Sequence, residues 1–416
     1  GGWSRLLVCR LLMKVLVLNC GSSSAKYKLY DMTDETVLAE GRVERIGLDD
    51  ALITHDARGK ERYHTTTPVR SHQVAIARAM ELLTDSKYGV LKSVQEIDAV
   101  GHRIVSGGAY FTEPVLVDQR NKELIAECSE LAPLHNPGAV VGIEAAQELL
   151  PDASQVAVFD TAFLATMEPH VYLYALPYEL YEKYKIRRYG AHGTSHKYVA
   201  LRAAQLLNRP LEELKVITCH LGNGASITAI KDGRCVDTSM GMTPLEGLIM
   251  GTRCGSIDPS IPLYIMEREG LTTQQCNDLM NKQSGLKGMS GVSHDMRDIE
   301  AAMEEGNERA IQAFKAYVHS IVKHIGAYTA VLGGLDCLVF TAGVGENSPL
   351  LRSHVCSQLA GLGIYISEER NHDKEKEKEI STAESSVSVW VIPTNEELMI
   401  ARETAELSTR AIRQRN

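Results

Sequence analysis

Three short segments set small residues and hydrogen-bond donors directly after apolar runs, which lets backbone approach an anion closely. Asn19-Cys20-Gly21-Ser22-Ser23-Ser24-Ala25-Lys26 supplies a glycine, three hydroxyls and a lysine, a density of N–H and O–H donors suited to phosphate oxygens. His220-Leu221-Gly222-Asn223-Gly224-Ala225-Ser226 carries two glycines and an amide side chain, so the backbone there can close on a phosphate without a Cβ in the way. Gly343-Val344-Gly345-Glu346-Asn347 follows the run 338–341 and is expected to form a third glycine turn at a strand end. None is a Walker A loop, which needs Gly-Lys-Ser/Thr opening a helix, and none completes a dinucleotide fingerprint. Taken singly, each also reads as an ordinary turn.

Two arginines lie among glycines. Arg103 stands in Gly101-His102-Arg103-Ile104-Val105-Ser106-Gly107-Gly108, and Arg253 in Gly251-Thr252-Arg253-Cys254-Gly255-Ser256. A planar guanidinium that a ligand can reach suits carboxylate or phosphoryl recognition, although an arginine bonding loop carbonyls has the same surroundings. Asp160 follows the apolar run 157–159, a position that serves catalytic and metal-binding carboxylates in α/β proteins. Glu396 and Glu397 open a helix expected over 396–412; a carboxylate pair there stabilises a helix start, and one of the two with Asp160 would also suffice for magnesium on a nucleotide. His192-Gly193-Thr194-Ser195-His196 has the spacing of a zinc helix but lacks the glutamate and a nearby third ligand, so zinc is not expected. The chain contains no Gly-x-Ser-x-Gly elbow of a serine hydrolase.

These residues require strands and helices to hold them. Strand-like runs at 15–19, 26–30, 157–159, 216–219, 227–230, 338–341 and 387–392 interleave with helical stretches at 74–83 and 310–332, which predicts layered α/β architecture with buried sheets. Laying 15–31 over 216–232 puts Gly21 on Gly222 and Asp31 on Asp232 without a gap, the mark of an internal duplication. The charge run within 368–386 reads as a solvated helix or loop. At 416 residues and 44% hydrophobic composition, the chain is long enough for two domains. Its net charge of −9, from 44 Lys plus Arg against 53 Asp plus Glu, with no basic block, argues against a nucleic-acid grip or a polybasic membrane patch. Nine cysteines without a Cys-x-x-Cys pair fit reduced thiols in the cytoplasm, and no apolar stretch reaches 18 residues, so a soluble chain is expected. Residues 1–12, ahead of Met13, read as an expression-derived or atypical N-terminal extension.

In combination the motifs are more specific. The segments 19–26, 101–108, 131–137, 159–163, 187–196, 218–226, 237–241, 251–259, 340–347 and 393–398 resemble the acetate kinase family, and the resemblance runs from Met13 to about Ser408. It implies two actin-like ATPase domains, ribonuclease H-like and of duplicated topology, with a nucleotide cleft between them. An N-terminal acyl- and phosphate-binding domain would span 13–161, completed by a C-terminal helix over 397–416, and a nucleotide-binding domain would span 162–396. The implied reaction is reversible, magnesium-dependent phosphoryl transfer from ATP to acetate, giving ADP and acetyl phosphate, in a cytoplasmic homodimer. Carried over residue by residue, Asn19, Ser22, Ser24 and Lys26 match the first phosphate motif, and His220, Gly222, Asn223 and Gly224 the second. Gly343, Val344, Gly345, Glu346 and Asn347 match the adenosine motif, joined by Asp295, Met296 and Arg297. Arg103 and Arg253 match the pair that binds carboxylate and the moving phosphoryl group, with His192 and His135 beside them; His192 and Arg253 would stabilise the transition state. Asp160 matches a catalytic acidic residue near the metal, and Glu396 with Asn19 the magnesium ligands. Val105, Leu134 and Pro244 match the apolar wall around the methyl group.

Three positions depart from the family pattern: Ser106 and Leu164 stand where histidine is usual, and Ala191 where phenylalanine is usual. The missing ring at Ala191, counted with the substrate-binding wall, is expected to leave room for one more methylene unless a neighbour fills it. A propionate or short-chain carboxylate kinase is therefore the nearest alternative. The remote one is a nucleotide-dependent binding module of the actin or chaperone kind, which has no need of two arginines facing a carboxylate.

Overall fold

The computed structural model describes residues 13–415, with side chains to 412; the expected extension over 1–12 lies outside the described residues. Contacts divide the chain into one unit that runs to Phe163 and resumes at Asn395, and a second unit, Leu164–Thr394.

The first unit is built on β1 (Lys14–Cys20), β2 (Ser24–Asp31), β3 (Thr36–Glu44), β4 (Ala51–Ala57), β5 (Tyr63–Thr67), β6 (Ala99–Ile104), β7 (Val115–Leu116) and β8 (Ser154–Phe159), in the order β5-β4-β3-β2-β1-β6-β8-β7. Strands β1, β6 and β8 run parallel, while β1 to β5 form antiparallel hairpins. β1 reads as a near-continuous apolar run because both its faces are covered. Helices His72–Thr84 and Asn136–Leu149 pack on one face, and helix Glu396–Arg415 on the other. Gly101 is needed there: a Cβ on it would stand 2.3 Å from Thr404 Oγ1, so the glycine lets that helix lie against β6.

The second unit repeats the plan. Its strands β9 (Val216–Leu221), β10 (Ala225–Lys231), β11 (Arg234–Thr238), β12 (Cys337–Thr341), β13 (Lys378–Glu379) and β14 (Ser388–Val391) are ordered β11-β10-β9-β12-β14-β13. The series β3-β2-β1-β6-β8 and β11-β10-β9-β12-β14 share order and direction: two antiparallel pairings, then two parallel ones. Both first hairpins turn at a glycine whose N–H bonds back across the loop, Gly21 N to Ser24 O at 2.9 Å and Gly222 N to Gly224 O at 3.0 Å, but the second loop is one residue shorter. The 201-residue offset between Gly21 and Gly222 therefore holds along β1 and β9 but drops to 200 along β2 and β10, so that Lys231 and not Asp232 takes the place of Asp31; the repeat of strand order and direction stands, and the chain has the duplicated actin-like fold. The 25-residue helix Glu308–Leu332 packs on this sheet, burying Phe314, Tyr317, Ile321 and Ile325 in the core.

Two expectations are corrected. Residues 343–347 do not form an open turn: Ala342–Asn347 is a one-and-a-half-turn helix, held by Asn347 Nδ2 donating to Gly343 O at 2.8 Å. The charge run is also not wholly solvated. Lys378 and Glu379 pair with β14 as an edge strand, and the Lys378 ammonium is buried because it donates to the carbonyls of Asn371 and Asp373. Among the described residues, eight cysteines carry free thiols, and no helix is long and apolar enough to cross a membrane.

His102 on β6 is buried, with Nε2 2.7 Å from Gln155 Oε1, and burial lowers its pKa to about 4. The unfolded chain takes up this proton near pH 6.5 and the folded chain resists it until about pH 4. Stability is therefore complete above the unfolded value and falls as pH drops through that window, by up to about 3 kcal/mol from this residue. Urea melts at pH 7, 5.5 and 4.5 should show the midpoint falling, and His102→Gln should flatten that slope. An equal slope in the variant would remove His102 from the account.

Candidate active site

In the first unit, the parallel strands β6 and β8 end side by side, so residues at their carboxyl ends share one edge. Arg103 sits one residue before the end of β6, and Asp160 directly follows β8, its N–H bonded to Ile104 O at 2.9 Å. The guanidinium grips the buried carboxylate with Nη2–Oδ2 at 2.8 Å and Nε 3.2 Å from both oxygens. That charge, above all, raises the affinity of Arg103 for its proton. Glu396 joins them from the first turn of helix Glu396–Arg415, whose start Asn395 caps by accepting Leu398 N–H at 3.1 Å. Burial pushes the Glu396 carboxyl up to about 7, opposed by Arg103 and assisted by Asp160 and Glu397.

The first phosphate segment lies at the β1–β2 hairpin, with Ser22 exposed and Ser24 and Gly21 half-buried. Two neighbours hold its loop. His72 Nε2 donates to Gly21 O at 2.6 Å, and Gly138 packs so closely that a Cβ on it would stand 2.4 Å from the same oxygen. Asn19 and Lys26, cross-strand partners, line a cavity of about 350 Å³ with Lys28, Arg42, Thr54 and Glu397. Strand alternation was the available signal for this cavity: positions 26 and 28, and 40 and 42, must share a sheet face. Asn19 and Glu396 supply an amide oxygen and a carboxylate that burial leaves short of solvation, donors that suit a hard divalent cation. Among the described residues no three His, Cys, Asp or Glu side chains cluster as a ready metal cage.

His135 precedes helix Asn136–Leu149, and Leu134 is exposed beside it. Sequence reasoning gave no separate role to Asn136, which is fully buried and staples the loop after Arg103. Its amide donates to Ser106 O at 2.9 Å and accepts from Ser106 N–H at 3.2 Å. Val105, in that loop, is half-buried.

In the second unit, His192 begins helix Gly193–Leu206 in the left-handed conformation, with φ of 60°. Its ring stacks on His220, centroids 4.0 Å apart. A Cβ on Gly224 would stand 3.2 Å from Arg253 Nη1 and 3.6 Å from His192 Nε2, so glycine there leaves space beside both nitrogens on one side of the loop. Arg253 donates to Pro244 O at 3.1 Å, and no carboxylate among the described residues pairs with it. Burial without a counter-charge lowers its proton affinity.

The adenosine segments meet in a cavity of about 640 Å³. It takes Gly222 and Asn223 from the β9–β10 hairpin, Asp295, Met296 and Arg297 from the start of helix Met296–Glu304, and Gly343, Val344 and Asn347 from the short helix after β12. Arg297 bonds Asp295 at 2.6 Å and holds its carboxyl down at about 2. Gly345 and Glu346 instead give their carbonyls to the buried guanidinium of Arg352, at 2.9 and 3.0 Å. Glu300 and Tyr317 also line the cavity, and no motif pointed to them.

Ala191 is buried in the core cluster of the second unit, and Leu164, fully buried, packs on the adjacent Gly190, where a Cβ would stand 2.6 Å from its Cδ1.

The profile of the Acetokinase family matches residues 14–402. The acetate kinase of Moorella thermoacetica is 58% identical over 395 residues, covering 95% of this chain and 99% of that protein. The acetate kinase of Caldanaerobacter subterraneus is 56% identical over 396 residues, with the same coverage. Among solved structures, Porphyromonas gingivalis acetate kinase superposes with a TM-score of 0.92 at 48% identity, covering 95% of this chain and 99% of that one. A propionate kinase from Francisella tularensis superposes with a TM-score of 0.86 at 42% identity, covering 94% and 99%.

Proposed function

This chain belongs to the acetokinase family, and with phosphoryl transfer between ATP and acetate as its reaction, we propose that the residues described above divide the work as follows. A carboxylate is already ionised at neutral pH, so the nucleophile needs no general base and the protein has only to position it and stabilise charge. Arg103 and Arg253 neutralise the moving phosphoryl group, His192 donates a hydrogen bond to it, and Asp160 orients Arg103. His135 stands beside the acyl group, with Val105, Leu134, Pro244 and Ala191 as its apolar surroundings. Asn19, Ser22, Ser24, Lys26 and His220 to Gly224 hold phosphates. Asp295 to Arg297 and Gly343 to Asn347 hold the nucleoside. Asn19 and Glu396 would hold Mg2+, which when bound screens polyphosphate charge. The protein works as a cytoplasmic homodimer, a state supported by the exposed apolar side chains Leu176, Tyr178, Leu263 and Tyr264 of the second unit. Light scattering of the purified protein should give twice the chain mass.

The observation that carries this mechanism is Arg253: a half-buried guanidinium with no carboxylate partner among the described residues, sharing the approach to Gly224 with His192. A hydroxamate assay with ATP, Mg2+ and a panel of acids from formate to butyrate tests it. Acyl phosphate from acetate, in a Mg2+-dependent reaction, is the expected product. The likeness to a propionate kinase favours a second activity on propionate. With Ala191 buried in the core of the second unit, acetate should exceed propionate in kcat/KM. A ratio below one would show that the acyl pocket is not bounded there.

A further inference from the structure

The hydrogen bonds of His192 continue through a buried chain that the reaction has not yet used. His192 Nδ1 lies 2.8 Å from Ser226 Oγ, and the same hydroxyl lies 2.7 Å from His196 Nε2. On its far side, His196 Nδ1 lies 2.7 Å from Thr218 Oγ1. Ser226, His196 and Thr218 are all completely buried, so each polar atom must find its partner within this set. Burial keeps His196 uncharged, with the neighbouring His220 acting in the same direction.

Counting protons assigns the direction of the chain. Ser226 has one proton and faces two ring nitrogens, so it donates to one and accepts from the other. If it donates to His196, then His196 carries its proton on Nδ1 and gives it to Thr218 Oγ1. The buried Thr218 hydroxyl would then have a proton and no acceptor, because His196 is its only hydrogen-bond partner among the described residues. An unsatisfied buried donor is costly, so the opposite arrangement is preferred. In that arrangement Thr218 donates to His196 Nδ1, His196 Nε2–H donates to Ser226, and Ser226 donates to His192 Nδ1. One neutral form of His192 then remains, with its proton on Nε2. That edge lies on the Gly224 side, next to Arg253 Nη1. A second positive charge on His192 would stand beside that guanidinium and against the stacked His220 ring.

We propose that Thr218, His196 and Ser226 are positioning residues that lock His192 as the neutral Nε2–H tautomer, a donor presented to the anion that Arg253 meets. This rests on the role given to His192 above, but the tautomer can be read without substrate. A tautomer lock matters because the other form would offer a lone pair to a phosphoryl oxygen and repel it.

The test is two-bond proton–nitrogen NMR on protein carrying 15N-histidine, with the His192 signals identified by their loss in His192→Gln. In the wild type at pH 7.5, His192 should show a protonated, pyrrole-type Nε2 and a pyridine-type Nδ1. Thr218→Val keeps volume but removes the hydroxyl, leaving His196 Nδ1 facing a methyl in either direction. His192 should then become a tautomer mixture, and kcat should fall about tenfold with KM for acetate and ATP within about twofold. Thr218→Ser should restore both. Ser226→Ala, checked by its melting temperature, gives the same tautomer readout one link nearer. A wild-type His192 protonated on Nδ1, or a Thr218→Val spectrum like the wild type, overturns the proposal. A wild-type protein that makes no acyl phosphate overturns the functional reading instead, and the tautomer is still decided by the spectrum.

Discussion

Arg253→Ala is expected to lower turnover by roughly 10³- to 10⁵-fold, about 4 to 7 kcal/mol of barrier, while the melting temperature stays the same or rises. The reason is what surrounds the guanidinium. It gives one bond to Pro244 O and lies 3.8 Å from Met250 Sδ, with no carboxylate partner among the described residues. A half-buried cation held this way is poorly solvated, and its remaining N–H donors suit an incoming anion. Removing it relieves a desolvation cost, so stability should not suffer. Arg253→Lys should recover little, because a point charge on a flexible stem cannot reproduce the planar fork. Turnover above a tenth of wild type in the alanine variant would show that Arg253 only braces the loop at Pro244.

The sequence carried some of this architecture because particular residues have few alternatives. Gly21 and Gly222 both follow the strand that opens a hairpin, and the duplication could be read from them, although the one-residue shorter second loop, which displaces Asp232 from the place of Asp31, could not. Gly222, Asn223, Asp295, Met296, Arg297, Gly343, Val344 and Asn347, scattered over 126 positions, were assigned by resemblance to one nucleotide site, and they line one cavity. What stayed hidden depends on packing between distant segments. The His192–His196 spacing invited comparison with a zinc helix, but the space between the rings holds Ser226 Oγ, which comes from a strand 30 residues on. Arg352, five residues beyond the adenosine motif, is fully buried beneath it, its guanidinium held by the backbone carbonyls of Gly345, Glu346 and Asn371 and by the Asn371 side-chain amide oxygen, an arrangement no residue type announces. The missing ring at Ala191 was legible as lost volume, but the burial of Ala191 in the core of the second unit was not, because volume is shared across the fold while sequence records it one residue at a time.

Arg103 makes the opposite case to Arg253, and the contrast provides the second large expected effect. Its guanidinium is already bound, bidentate, to Asp160, which is 2% exposed. Arg103→Ala should therefore lose turnover by a similar roughly 10³-fold or more, and should also lose about 3 kcal/mol of stability, because a buried carboxylate is left without its counter-charge. Asp160→Asn alone should keep most of the stability, since its amide is neutral, but should free the Arg103 fork and lower turnover through misplacement. The informative variant is the double, Arg103→Ala with Asp160→Asn. It removes both charges together, so urea denaturation should show most of the lost stability returning. Turnover should not return with it, because no guanidinium remains at the carboxyl end of β6 to meet the acetate and the phosphoryl group. That separation of stability from activity identifies Arg103 as a residue that touches substrate while Asp160 aims it. A double variant that recovers both would reduce Arg103 to the counter-ion of a structural aspartate, leaving Arg253 as the sole assigned arginine at the reacting centre.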